Sequence, residues 1–403
     1  MNYESLQKLF YKSPERYDTL YRERFESEYA VHLDFEIHGF QAFYLRIPEA
    51  FDLLLRIHKK DKDVRAVRQA LPIIAQKQFA KRCLIDEVVL TNSIEGVNST
   101  RRDISEVLES LKVQDKKKRF SGLVNKYLML QENDSLNIQT CEDIRSIYDE
   151  LVLKEVAEED AGDVPDGKIF RRGSVSVYSS SQKIIHVGIF PEDKIIEAIQ
   201  KALVFLSDGE KEMLERIAVF HYLLGYIHPF YNGNGRLSRF ISSYLLSREL
   251  DQLTGYRLSY TIKERIKSYY EAFIICNDDK NRGDLTPFLI SFLEIVYEAV
   301  DQLYVALYKR YQSLETFSNL SQKVPFIAEN SDFERLAFLL IQAELFSEYG
   351  ITTQELMDIT GVSRITINKR LKKFEDFQLL IQSRLGHNHT FRLDLDKLRE
   401  IAL

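Results

Sequence analysis

The chain has little of what builds exported, membrane-embedded or disulfide-held folds. Among its 403 residues are only 3 cysteines, 8 prolines and 16 glycines. Cys83, Cys141 and Cys276 are scattered, with no metal-binding or redox spacing. They exclude a disulfide framework and read as small buried apolar side chains in a reducing compartment. No run approaches the roughly 18 to 20 apolar residues of a membrane span. The start, Met1-Asn2-Tyr3-Glu4, lacks the basic-then-apolar pattern of an export signal. A cytoplasmic location with no membrane partner is therefore expected. Repeats and low-complexity tracts are also missing. A net charge of -6 argues against a wholesale nucleic-acid binder while leaving room for one local basic face. What is present is ordinary for a soluble globular protein: 45% apolar and 29% charged residues. The length suits two or three domains. Few chain breakers, with many Leu, Ile, Phe and Tyr at helical spacing, predict a mainly α protein.

One string concentrates chemistry. Residues 228–239 read His-Pro-Phe-Tyr-Asn-Gly-Asn-Gly-Arg-Leu-Ser-Arg. Gly233 and Gly235 allow φ > 0 and close approach of backbone to a ligand. Leu237, Phe240, Ile241, Tyr244 and Leu245 then recur at helical spacing, so the turn opens a helix. Free N–H groups at a helix N-terminus, with the helix dipole, cradle anions. Arg236 and Arg239 are three apart and lean over the same anion. His228 stands at the rim, with an ordinary pKa near ~6.5. This is a site for a polyphosphate beside a hydroxyl to be activated.

The string resembles the signature of Fic-domain proteins, His-x-Phe-x-(Asp/Glu)-Gly-Asn-Gly-Arg-x-x-Arg, at every defined position but one. The resemblance implies AMPylation, the transfer of AMP from ATP to a Ser, Thr or Tyr hydroxyl of a target protein, with ATP as substrate and Mg²⁺ as cofactor. By position it makes His228 the general base and Phe230 the anchor of the loop. Gly233, Asn234 and Gly235 would hold the α- and β-phosphates, and Arg236 and Arg239 the outer phosphates. The exception is Asn232, where relatives place the acid that holds Mg²⁺. Asn offers a neutral oxygen without the charge a hard cation favours. The string differs more from the phosphorylating branch of the family, so nucleotidyl transfer is the expectation. Tyr270 and Asn281 fall where the family has residues near the adenosine, although the spacing between them is stretched.

A second string, Thr91-Asn92-Ser93-Ile94-Glu95-Gly96, ends a helix expected over about 72–96. Thr91 and Glu95 share one face, and a carboxylate in the last turn opposes the helix dipole unless it finds a cation. The string resembles the inhibitory motif of Fic proteins, (Ser/Thr)-x-x-x-Glu-(Gly/Asn). The resemblance implies that Glu95 takes Arg239 away from the ATP γ-phosphate and so inhibits the enzyme. Around these strings the pattern predicts a hairpin over 30–47, and helices over 101–113, 123–130 and 141–153. The acidic stretch Glu155–Asp163 reads as a loop. A second hairpin, 174–178 with 184–189 and a polar tip at 179–183, would be the family's flap, which pairs with an extended target segment. The basic run Lys116–Arg119 reads as a solvated loop or helix face.

From about Phe333 a helix precedes Thr352–Thr360, a Gly361-Val362 turn and a helix that Ser363 can N-cap. That is helix-turn-helix spacing, and strands over 379–382 and 391–393 would complete a winged helix. Arg364, Thr366, Asn368, Lys369, Arg370, Lys372 and Lys373 suit DNA phosphates and base edges. Residues 350–403 carry nine Lys/Arg against seven Asp/Glu, only about +2, so DNA and protein partners stay open for this domain. The organisation expected is an N-terminal region 1–115 with hairpin and inhibitory helix, a Fic core 116–310 and a winged-helix domain 311–403. The leading reading is an autoinhibited protein adenylyltransferase acting on a target protein, the chain itself included. Release of the brake through a homodimer or the C-terminal domain stays open. The alternatives are a DNA-binding regulator whose Fic domain only senses nucleotide, and transfer of a different nucleotide.

Overall fold

The computed structural model describes residues 3–112, 118–131, 135–178, 184–386 and 388–402. The chain is mainly helical, with three small antiparallel sheets among the described residues. The first is the expected hairpin, β1 (Ala30–Ile37) and β2 (Phe40–Leu45). Both turn residues have positive φ, His38 at 50° and Gly39 at 79°. That geometry matches the twist of the strands it joins. Leu33, Phe35 and Ile37 alternate into the core.

Helix α1 (Ile73–Ile94) buries Ala75, Phe79 and Cys83 along one side. It stops where the sequence predicts: Glu95 is the cap residue and Gly96 takes φ 74°, the left-handed turn that glycine enters without strain. The central pair, α2 (Met213–Ile227) and α3 (Asn234–Glu249), is buried on nearly every face. All-round burial explains why α2 is apolar beyond a single stripe, while α3 carries buried Ser, Asn and Arg toward the turn. Their connection, residues 228–233, is thus fixed at both ends by the core.

The structure corrects several expectations. Glu155–Asp163 is largely helical: Lys154–Glu159 continues the Cys141–Tyr148 helix through a π-helical turn, Asp149–Leu153, and a 3₁₀ turn, Ala161–Asp163, follows. Buried Glu155 and Val156 give this acidic run an inner face that composition alone hides. The second hairpin is shorter than expected, β3 (Ser176–Tyr178) paired with β4 (Ile184–Val187). Its tip, 179–183, lies outside the described residues, as do Lys116 and Lys117. Helix α4 (Thr286–Ser321) runs straight through residue 310, where a boundary was expected.

Beyond α4 come α5 (Ser331–Phe346), β5 (Ile351–Thr352), α6 (Thr353–Thr360), α7 (Arg364–Asp376), β6 (Leu380–Leu385) and β7 (Asn388–Leu393), in the sheet order β5-β7-β6. Local chemistry sets these ends. Thr352 and Glu355 form a capping box, Gly361 takes φ 73°, and the Ser363 hydroxyl accepts from the Thr366 N–H. This unit packs against α1. Phe346 meets Phe79 edge to face at 6.3 Å, and Glu348 pairs with Arg82 at 3.4 Å and Arg101 at 3.3 Å. Cys83, Cys141 and Cys276 are all buried and free. Among the described residues no helix is long and apolar enough to cross a membrane.

Candidate active site

His228 caps α2 in the left-handed conformation, φ 52°. Its Nδ1 lies 3.3 Å from the Gly225 carbonyl, which can only accept. The ring proton therefore sits on Nδ1, and Nε2 keeps its lone pair. Burial pushes the imidazole down to about 4, so it is neutral at pH 7. Arg171 holds this corner: its guanidinium donates to the carbonyls of His228 at 2.9 Å and Ile189 at 2.8 Å. It thereby ties the base of the β3–β4 hairpin to the histidine. Nothing in the Phe-Arg-Arg-Gly segment of the sequence marks Arg171.

After His228 the loop is built around Phe230. Its ring is fully buried, stacked on Tyr148 at 3.6 Å and edge-on to Phe170 at 5.5 Å. Asn234 staples the loop, its side chain accepting from Phe230 N at 2.9 Å and donating to Phe230 O at 2.8 Å. Gly233 has φ 79° and opens α3, so the first backbone N–H groups of that helix face the turn. Gly235 does not need positive φ; it is already helical. It is small because Glu95 lies against it: a Cβ there would stand 2.2 Å from Glu95 Oε1. Close approach, and not backbone freedom, is what the second glycine supplies.

The two arginines differ sharply. Arg239 is buried and satisfied, donating to Thr91 Oγ1 at 2.9 Å and Thr91 O at 3.0 Å, with Nη1 2.9 Å from Glu95 Oε1. Arg236 is only 1% exposed, yet none of its three guanidinium nitrogens has a hydrogen-bond partner. A buried cation without a partner is costly, and an anion beside it would offset that cost. Asn232 accepts from Gly233 N at 2.6 Å and donates to Asp163 Oδ2 at 3.2 Å. Its amide offers a divalent ion an oxygen without charge.

A cavity of about 150 Å³ opens beside the turn, walled by His228, Asn234, Gly235, Arg239 and Glu95 and by Val177, Ile185 and His186 of the hairpin. It falls below the ~300 Å³ at the low end of ligand pockets, and the Glu95 carboxylate intrudes on it. Tyr270 lines the cavity. Asn281 does not: it is fully buried, its Nδ2 bonded to the Asp284 carbonyl, inside the 3₁₀ turn that follows. Asn277, one helical turn earlier, takes the place beside Tyr270 and had no sequence signal.

Residues 139–246, which include His228 through Arg239, match the model of the Fic/DOC family. Glu95 and the C-terminal unit lie outside the matched stretch. The curated relatives are distant. The chain is similar to protein adenylyltransferase Fic of Drosophila virilis, 27% identical over 289 residues, covering 69% of this chain and 52% of that protein. The Drosophila yakuba counterpart is 28% identical, with 65% and 49% covered. The chain thus spans about half the length of these relatives. The fold is shared with a Fic family protein from Desulfovibrio desulfuricans at a TM-score of 0.51 and 18% identity, over 87% of this chain and 97% of that one.

Proposed function

We propose that this chain is a protein adenylyltransferase restrained by its own Glu95. The observation that carries the reading is the buried, partnerless Arg236 in the first turn of α3, the helix that the turn after His228 opens, together with the free Nε2 of that histidine. A polyphosphate fits that arrangement, with Gly233 and the helix N–H groups around it and Arg236 as its counter-charge. ATP is the nucleotide the distant relatives' activity favours. His228 Nε2 takes the proton of a Ser, Thr or Tyr hydroxyl on the target. The oxygen bonds to the α-phosphorus, the bond to the β-phosphate bridging oxygen breaks, and pyrophosphate leaves. General base action of this kind contributes about 10² to 10⁴ in rate, and Arg236 and the helix N-terminus stabilise the charge that develops. Mg²⁺, held in part by Asn232, would neutralise the bridging phosphates.

Glu95 is the inhibitor in this reading, because Arg239 cannot serve both Glu95 and a γ-phosphate. The β3–β4 hairpin, a two-stranded sheet with free outer edges, takes the target as an added strand. The experiment is label transfer from ATP radiolabelled at the α-phosphate, using wild type, Glu95→Ala and Glu95→Ala/His228→Ala. Label on protein that rises in the first variant and vanishes in the second supports the reading. No label from folded protein that still binds ATP sinks it.

A second reading rests on one observation. We read residues 331–393 as a winged helix, and α7 presents Ile365, 82% exposed, next to Arg364. An exposed apolar side chain flanked by Arg364, Asn368 and Lys369 suits a thymine methyl and adjacent phosphates in a major groove. Duplex binding that weakens with salt, without label transfer, would make the chain a DNA-binding nucleotide sensor.

A further inference from the structure

The glycine turn presents a neutral amide where the cation of a bound polyphosphate is best served by a carboxylate. That amide has an acid at its side. Asn232 Nδ2 donates to Asp163 Oδ2 at 3.2 Å, while Asn232 Oδ1 accepts from Gly233 N at 2.6 Å. Asp163 ends the Ala161–Asp163 turn, partly exposed, and makes no ion pair among the described residues. The Tyr148 hydroxyl donates to the Asn232 carbonyl at 3.1 Å, and Asp163 and Arg236 both act on that tyrosine. A partnerless cation, Arg236, and an acid free of any cation therefore flank the same turn, and they do not pair with each other.

That separation has a use. A phosphate neutralises Arg236, and a divalent ion on the phosphate neutralises Asp163, so both costs fall together. The oxygens on offer, from carboxylate, amide and phosphate, are the hard ligands that suit Mg²⁺. The geometry points to Asp163 as the carboxylate that holds the divalent cation of a bound nucleotide, in place of an acid at position 232. The assignment rests on the nucleotide reading above. It explains how the turn tolerates Asn232: the charge has moved to a neighbouring segment 69 residues earlier in the chain.

The test is ATP affinity by calorimetry, in Mg²⁺ and in EDTA, for wild type, Asp163→Asn, Asn232→Asp and the double variant. Mn²⁺ bound in the presence of ATP is counted by electron paramagnetic resonance. Mg²⁺ should tighten ATP binding to wild type. Asp163→Asn should lose about tenfold of that gain and the ordered Mn²⁺ signal, with binding in EDTA unchanged. Adding Asn232→Asp to it should restore both. A gain that survives Asp163→Asn overturns the assignment and leaves the nucleotide site standing. Equal loss with and without metal makes Asp163 a brace of the turn, and also overturns it. Wild type that binds no ATP in either condition overturns the nucleotide reading and this assignment together.

Discussion

Replacing Glu95 by Ala should raise transfer activity by a factor the geometry bounds. Arg239 Nη1 and Glu95 Oε1 are 2.9 Å apart. At an effective dielectric of about 20, two unit charges at that distance attract by roughly 6 kcal/mol. Glu95 keeps 26% of its side chain exposed, and water regains part of that energy when the pair opens. A net figure of about 2 to 3 kcal/mol is reasonable for such a charge-assisted bond. It corresponds to roughly 30- to 140-fold in the occupancy of a productive ATP state. The variant should remain well formed, because Thr91 still holds Arg239 through Nε at 2.9 Å and Nη2 at 3.0 Å. The guanidinium stays in place and gains a free Nη1 for the γ-phosphate. Initial rates of label transfer at subsaturating ATP measure the effect, with circular dichroism and melting as the folding control. A folded Glu95→Ala protein with the wild-type rate would refute the reasoning, since the pair would then cost the ground state nothing.

Three further outcomes follow from the same geometry. With the His228 ring held down to about 4, kcat/KM of Glu95→Ala should rise through the acid range and level off by about pH 6. The Glu95 carboxylate favours the protonated ring, so its removal moves the limb lower still, and a midpoint at or above ~6.5 counts against His228 as the base. Phe230→Ala should lose about 3 to 5 kcal/mol in urea unfolding, because its ring is fully buried between Tyr148 and Phe170; a loss under ~1 kcal/mol would show that the loop is not anchored there. Burial pushes Glu87 up to about 7, against the hydrogen bonds from Ser259 and the charges of Arg239 and Arg257. Its protonated form contributes stability that is complete below the ordinary value of 4.5 and lost as pH rises through about 7. Wild-type melting temperature should therefore fall between about pH 5 and 8, and Glu87→Gln should flatten that fall; parallel curves would contradict the assignment.

Local chemistry carried much of this in the sequence. Gly96, Gly361 and Ser363 announce helix ends because a left-handed turn or an N-cap needs particular side chains, whatever packs nearby. Residues 228–239 were legible for the same reason: turn, helix start and both arginines are set by spacing. What stayed hidden depends on chain segments that meet only in the fold. Arg171 reaches His228 from 57 positions away, and Asp163 reaches Asn232 from 69. Gly235 was read for backbone freedom, yet it is needed because Glu95, from a different helix, presses against it. Asn281 fitted a family spacing, but the short turn after Cys276 draws it inward and leaves Asn277 at the cavity. Glu155–Asp163 looked like a loop because acidic residues dominate it, while the two that decide its fate, Glu155 and Val156, are buried.

The two arginines of α3 show how one site can be both ready and restrained. They stand three residues apart, both almost fully buried. Arg239 is satisfied from within the chain by Thr91 and Glu95, whereas Arg236 is satisfied by nothing. If both were filled internally, an incoming polyphosphate would have to displace one set of contacts for each it gained, and binding would be weak. If neither were, two unneutralised guanidinium groups three residues apart would be buried together at a cost of several kcal/mol. Filling one and leaving the other keeps a strong anchor for the nucleotide at Arg236. Under the proposed function, the terminal phosphate would then compete with Glu95 for Arg239. On this argument restraint should act on catalysis far more than on nucleotide affinity. That difference separates a brake on chemistry from a simple block on binding.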